Sequence, residues 1–212
     1  FGRFKFELII FIIQWIDLYD KFSDFVITVF LMSILKLDDY HKVDLIDDSI
    51  HGSTFTTLKK SNGKIYVAKE LKLHIDDNDQ IKKSIRLVLT CIQFLNYPAL
   101  VTFIGFSQTN FDNDNSFVLI TKYMKNGSLS NLFKSLHEKR DIPQGWSNTK
   151  LIINILGISL GMKYLYDNGH THNDLIPTNI LLSSKFYPKL TDYGIANYLV
   201  NTDPKHKNVL NN

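Results

Sequence analysis

The sequence predicts an α+β protein in two lobes, a five-stranded sheet with one helix followed by a mostly helical part. Three observations carry that prediction. Apolar and polar residues alternate in short segments up to residue 123, one helical pattern interrupts them, and a long apolar run follows Asn126-Gly127. With 44% hydrophobic and 21% charged residues among 212, the chain can fill a real core and is too apolar to stay disordered.

The elements follow in order. Residues 43–60 and 64–71 read as short strands joined at Ser61-Asn62-Gly63, a turn signal between alternating segments. Residues 76–79 offer an N-cap, and Ile81, Ile85, Val88, Ile92 and Leu95 then recur at the spacing of one helical face. Pro98 follows the end of that helix. Residues 100–106 and 117–123 read as strands flanking the polar loop 108–116. Within that loop Asp112-Asn113-Asp114-Asn115 imitates the start of a calcium loop, but Phe117 stands where a glycine is needed and Tyr123 where the closing glutamate belongs. It reads as a turn. Residues 151–166 are apolar nearly all round, which predicts a helix buried in a core, with Gly157 and Gly161 one turn apart for close approach. Asp167-Asn168-Gly169 ends it.

The first 36 residues form an apolar extension of their own. Phe1 opens the chain and the first methionine is Met32, so the expectation is a fragment, or a start foreign to the native product. Two apolar runs, 8–16 and 25–35, are each shorter than the roughly 18 to 20 residues that cross a bilayer. Arg3 and Lys5 resemble the start of a secretory signal, but no small-residue cleavage pattern follows. A packed or extraneous extension is expected, with a membrane-associated hairpin through residues 8–35 as the alternative. The net charge of +3 is scattered, so no footprint for nucleic acid stands out. The single cysteine, Cys91, has no internal bridging partner and points to a reducing, cytoplasmic setting.

The chemistry gathers in five separated segments. His172-Asn173-Asp174-Leu175-Ile176-Pro177-Thr178-Asn179 sets an aspartate five residues before an asparagine, and Asp192-Tyr193-Gly194 follows. Tyr66-Val67-Ala68-Lys69, residues 97–106 and residues 120–129 precede them. In this order and spacing they resemble the eukaryotic protein kinase domain, in its tyrosine-kinase-like serine/threonine branch, where the catalytic loop reads HRDLKPxN and the metal motif DFG. The match covers roughly residues 38–200.

That resemblance implies a two-lobed protein kinase-like fold. Residues 37–124 would form an N-lobe and hinge, with a five-stranded antiparallel sheet plus one helix, and residues 125–212 an incomplete, mainly helical C-lobe ending in the activation segment. It implies ATP and Mg2+ as cofactors and a protein substrate or binding partner of unknown identity. By the same resemblance Lys69 would hold the nucleotide phosphates, Asp174 would orient and deprotonate an incoming hydroxyl, and Asn179 and Asp192 would supply oxygen ligands to magnesium. Backbone groups of Lys122 to Met124 would meet the adenine edge, Thr121 would stand behind it, and Ile50, Leu58, Val67 and Leu181 would line its walls.

Departures from the pattern are equally specific. His51, Ser53 and Thr56 fall where three glycines normally let backbone amides approach phosphate, with Gly52 one residue off. Val88 falls where a helical glutamate should pair with Lys69, and Glu70 cannot replace it because adjacent strand residues point to opposite faces. Lys69 without that partner would either pair with Asp192, in competition with metal, or lose its proton if buried. Asn173 and Ile176 replace two cations, no APE motif follows, and Thr202 marks a regulatory phosphosite position without a cationic receiver nearby. His170 and His172 alone are too few for a metal site, and His172 reads as structural. Two functions fit: a protein serine/threonine kinase, or a pseudokinase that binds nucleotide or a partner with little or no catalysis.

Overall fold

The computed structural model describes residues 34–49, 52–72, 85, 86, 88, 89, 91–139 and 142–194. Ile50, His51, residues 76–79, Ile81, Thr202 and the apolar runs 8–16 and 25–33 lie outside the described residues.

Five strands form one antiparallel sheet: β1 (Tyr40–Ser49), β2 (Gly52–Lys59), β3 (Ile65–Leu71), β4 (Phe103–Ser107) and β5 (Val118–Lys122), in the order β1-β2-β3-β5-β4. The predicted hairpin at Ser61-Asn62-Gly63 joins β2 to β3, with Gly63 at φ 65° and its N–H bonded to the Lys59 carbonyl. Sequence patterning started the fourth strand at residue 100, but β4 begins at Phe103. Residues 99–101 instead run beside a later strand, because Leu190 N–H donates to Ala99 O (2.7 Å) and Val101 N–H to Leu190 O (2.8 Å).

The two faces of the sheet are covered differently. On one, Tyr40, Ala68, Val118 and Ile120 pack with Leu37, so the chain entering β1 closes over the sheet. Ile34 makes a bridge to Phe106, and Leu35 N–H donates to the Phe106 carbonyl. On the other face, Leu71, Phe106, Phe117 and Leu119 join Ile85, Leu89, Ile92 and Leu95. The helical residues among these follow the predicted three-and-four spacing, and Leu89 adds to it. This core does not stop at the sheet, for it continues through Leu165, Ile180, Leu182, Leu190 and Tyr193 of the second lobe.

The second lobe starts with α1 (Leu129–Lys139), which composition had marked only as helical territory. Ser128 Oγ caps it by accepting from Asn131 N–H. α2 (Asn148–Asp167) begins three residues before its apolar run because Ser147 accepts from Lys150 N–H, and it ends at Asn168 and Gly169 as predicted. A hairpin of β6 (Ile180–Leu182) and β7 (Pro188–Leu190) lies against α2. Gly157 and Gly161 make that approach possible: a Cβ at Gly157 would sit 2.5 Å from Pro188 Cγ, and one at Gly161 would sit 2.9 Å from Leu190 Cδ1. Asn154, buried in the same seam, donates to the carbonyls of Lys150 and Phe186.

One expectation fails here. α2 is not buried all round: Ile152, Ile155 and Leu156 are 58%, 57% and 57% exposed. Only the face carrying Asn154, Gly161 and Leu165 is covered. An all-round apolar pattern records which residues tolerate burial, and the neighbours decide which of them are buried.

Candidate active site

Strand register places the upper wall of the cleft. Lys69 pairs with Thr54 on β2 and Leu119 on β5, and Val67 pairs with Thr56 and Thr121. Cross-strand partners share a face, so Thr54, Thr56, Leu58, Val67, Lys69 and Thr121 all look the same way. Glu70 looks the other way, where Lys42 holds it at 2.7 Å, as the alternation of a strand requires. Leu181 on β6 stands in the opposite lobe, tied to Ser128 just after the hinge by a bridge. Met124 is buried and its carbonyl accepts from Gly127 N–H, while Lys122 N–H donates to Thr102 O.

The floor is assembled by the β6–β7 hairpin. Asn179 immediately precedes β6, and Thr191 immediately follows β7; Thr191 N–H donates to Asn179 O at 3.0 Å, extending the ladder by one step. Asn179 and Asp192 are thereby brought side by side although thirteen positions separate them. Pro177 opens the 3-10 turn Pro177–Asn179, and the Asn179 amide donates to Asp174 Oδ2 (2.8 Å) and to Asp174 O (3.0 Å). With its amide nitrogen committed twice to Asp174, Asn179 keeps its oxygen for another partner.

The two walls meet at Lys69. Its ammonium lies 2.5 Å from Asp192 Oδ2, with side-chain exposures of 18% and 25%. Asp192 Oδ1 accepts from Thr191 Oγ1 at 3.3 Å. Asp192 has φ 62° and Asn173 has φ 60°, a left-handed backbone that costs a non-glycine residue about 1–2 kcal/mol and persists only where its surroundings fix it. Behind them His172 is fully buried, its ring edge-on to Tyr193 at 6.5 Å between centroids. Burial pushes His172 below its ordinary value, and the Asp192 and Asp174 carboxylates only partly offset this. A neutral structural histidine is the result.

The departures also have a structural account. Val88 lies against the metal motif, its Cγ1 3.9 Å from where a Cβ on Gly194 would be. A valine therefore occupies the helical position facing this loop, and Lys69 has turned to Asp192. Two of the three glycine-equivalent positions hold hydroxyls that are already engaged: Ser53 Oγ donates to Asp48 Oδ1 at 2.6 Å, and Thr56 Oγ1 accepts from Asp44 N–H at 3.0 Å. Gly52 serves the sheet, since a Cβ there would collide with the Glu70 carbonyl of β3.

The donor set suits magnesium. Asn179 Oδ1 and the Asp192 carboxylate are hard oxygens, and a cation that takes one or two protein oxygens and completes its shell with phosphate and water needs no more. Among the described residues there is no cluster of three or more His, Cys, Asp and Glu side chains of the kind that holds a metal unaided. Sequence reading missed three contributors: the Thr191 hydroxyl, the Tyr193 hydroxyl and the 99–101 segment that pairs with β7. Only Tyr193 carried a signal, as a phenol where the resembling motif has a phenyl ring.

Comparison with known proteins agrees with this geometry. The chain matches the protein kinase domain over residues 40–211. It is similar to Mitogen-activated protein kinase kinase 2 of Arabidopsis thaliana, with 30% identity over 79% of this chain and 43% of that protein. It is also similar to Serine/threonine-protein kinase SSK22 of Saccharomyces cerevisiae, with 28% identity over 76% of this chain and 11% of that one. The chain thus spans less than half the length of these relatives. Motif order, convergence of the four polar side chains on one cleft and a match across most of the chain agree, and this chain belongs to the protein kinase domain family.

Proposed function

We propose that the chain binds ATP with magnesium between its lobes and transfers the terminal phosphoryl group slowly to serine or threonine hydroxyls of a protein. The observation that carries this reading is the Lys69–Asp192 contact across the cleft, beside an Asp174–Asn179 pair held at 2.8 Å. Lys69 would place a compact positive charge on the nucleotide phosphates. Asn179 and Asp192 would hold magnesium, which supplies neutralisation of phosphate charge when bound. Asp174, with Oδ2 occupied by Asn179, would receive the proton of the incoming hydroxyl at its other oxygen. Leu58, Val67, Thr121 and Leu181 would enclose the base.

Slowness follows from what the upper wall lacks. Without the glycine cradle and the helical carboxylate, two stabilising contacts worth about 2 to 4 kcal/mol each are missing, which would lower the rate by roughly 10³-fold to 10⁶-fold if fully additive and by less where the two act as a unit. A second reading is favoured by the same wall: with Val88 against Gly194 and the Ser53 and Thr56 hydroxyls bonded to β1, the domain would act as a nucleotide- or protein-binding scaffold.

Thermal shift with ATP, with and without magnesium, separates these readings when joined to a phosphotransfer assay. Magnesium-dependent stabilisation together with transfer that disappears in both Lys69→Met and Asp174→Asn supports the enzyme. Stabilisation without transfer supports the scaffold. No stabilisation by ATP under either condition rejects nucleotide binding altogether.

A further inference from the structure

We propose that Tyr193 is a positioning residue whose hydroxyl holds Asp192 at Lys69. The Tyr193 hydroxyl donates to the Val101 carbonyl at 3.1 Å, and both residues are buried, at 4% and 2% exposure. Its acceptor is anchored, because Val101 N–H donates to Leu190 O and Leu190 N–H donates to Ala99 O. The phenol therefore closes a loop: β7 is pinned to residues 99–101 on one side of Asp192, and Tyr193 is pinned to the same segment on the other. Between the two pins sits Asp192 with its left-handed backbone, φ 62°, directed at Lys69.

On the near side of Asp192 the backbone is also tied by Thr191 N–H to Asn179 O; among the described residues the phenol supplies the tie on the far side. Gly194, at φ 77°, follows immediately and leaves the chain free to turn, and the Thr191 hydroxyl bond to Asp192 is long at 3.3 Å. A phenyl ring would fill the same space beside His172 but would leave the Val101 carbonyl without its donor in a place water does not reach. The hydroxyl thus converts a packing position into a link that reads out on the carboxylate next to it.

Two measurements on the full 212-residue chain test this. The first is a double-mutant cycle in chemical denaturation with Tyr193→Phe, Lys69→Met and the double variant. Tyr193→Phe should lower the folding equilibrium constant about fivefold, the usual worth of one buried hydrogen bond. If the hydroxyl positions Asp192 for Lys69, the double variant loses less than the product of the single losses by at least about threefold, beyond the scatter of independent sites. A shortfall smaller than that overturns the proposal, since a merely structural phenol gives multiplicative losses.

The second is the ratio of ATP dissociation constants without and with magnesium. This arm rests on the reading that Asp192 is a magnesium ligand, and there Tyr193→Phe should reduce the ratio at least threefold. An undiminished ratio in a chain that shows one overturns the proposal too. If the unaltered chain shows no magnesium effect, the reading of Asp192 as a metal ligand fails, and the cycle alone decides the role of Tyr193.

Discussion

The two walls of the cleft have been treated differently by this sequence. On the floor, Asp174, Asn179 and Asp192 keep their identities, and each is held by named bonds: Asn179 to Asp174, Thr191 N–H to Asn179 O, and Asp192 to Lys69. On the upper wall, Ser53 and Thr56 commit their hydroxyls to β1, and Val88 packs against Gly194. The floor residues are set by one hairpin and one turn, whereas the upper wall carries side chains at the positions where the resemblance expects glycines. The contrast teaches that the polar geometry of the floor and the crowding of the upper wall are independent, because they depend on different pieces of backbone.

Substitutions can break or sharpen that contrast. The largest effect is expected on the floor: Asp174→Asn should cut any residual phosphotransfer about 10²-fold to 10⁴-fold, the range for a positioned general base. Equal rates in the variant and the parent, followed by phosphate incorporation into a serine-containing protein, would remove Asp174 from the mechanism. Next, the floor should be breakable from behind. Gly161→Leu would push into Leu190 and Ala99, so unfolding by urea should reveal a loss of about 1–3 kcal/mol; a neutral result would mean that α2 and β7 do not pack as closely as described.

Repairing the upper wall should do the reverse. Val88→Glu would give Lys69 a second carboxylate and release Asp192 for metal, and a gain in phosphotransfer of about tenfold is expected, part of what one well-placed electrostatic contact supplies. No gain in the presence of saturating magnesium and ATP would show that the helix is not the limiting deficit. A pH effect comes next. Burial lowers His172 and His170 below the ordinary value of 6.5, so the folded chain resists protons that the unfolded chain accepts. Stability is then complete above pH 6.5 and is lost as pH falls from there towards the lowered folded values. Denaturation midpoints between pH 7.5 and 5 should decline, and less steeply in His172→Gln; identical slopes would assign the decline to other groups. The smallest change belongs to Thr56→Gly, which frees one glycine-equivalent position but leaves Ser53 in place. ATP affinity should move by less than about threefold, an effect of the size of one weak hydrogen bond, and a tenfold gain by calorimetry would show that crowding at this position alone closes the cradle.

Much of the molecule was legible beforehand, for identifiable reasons. The turn at Ser61-Asn62-Gly63 and the stop at Asn168-Gly169 are backbone requirements written directly in residue type, and both stand where expected. The helical face of Ile85 and Ile92 was visible because burial follows a 3.6-residue period, and Leu95, just past the helix, joins the same core. Residues 112–115 form the expected turn, with Asn110 Oδ1 accepting from the N–H groups of Asp112 and Asp114. Less visible were α1, whose capping serine sits beside Gly127, and the exposed side of α2. Patterning cannot say which of two equally apolar faces finds a neighbour.

The sequence by itself settled the family, the order of elements and the identity of the polar residues, because spacing between motifs is a property of the chain. It also determined that Glu70 could not serve Lys69, since a strand alternates its side chains whatever surrounds it. Tertiary structure alone decided that Lys69 joins Asp192 at 2.5 Å, that Ser53 and Thr56 are already bonded, and that Tyr193 reaches the Val101 carbonyl. The Lys69 and Tyr193 links close between segments far apart in the chain, and the Ser53 and Thr56 bonds close across the β1–β2 pair. Such contacts depend on where packing brings backbone together, and no local rule of residue type contains that information.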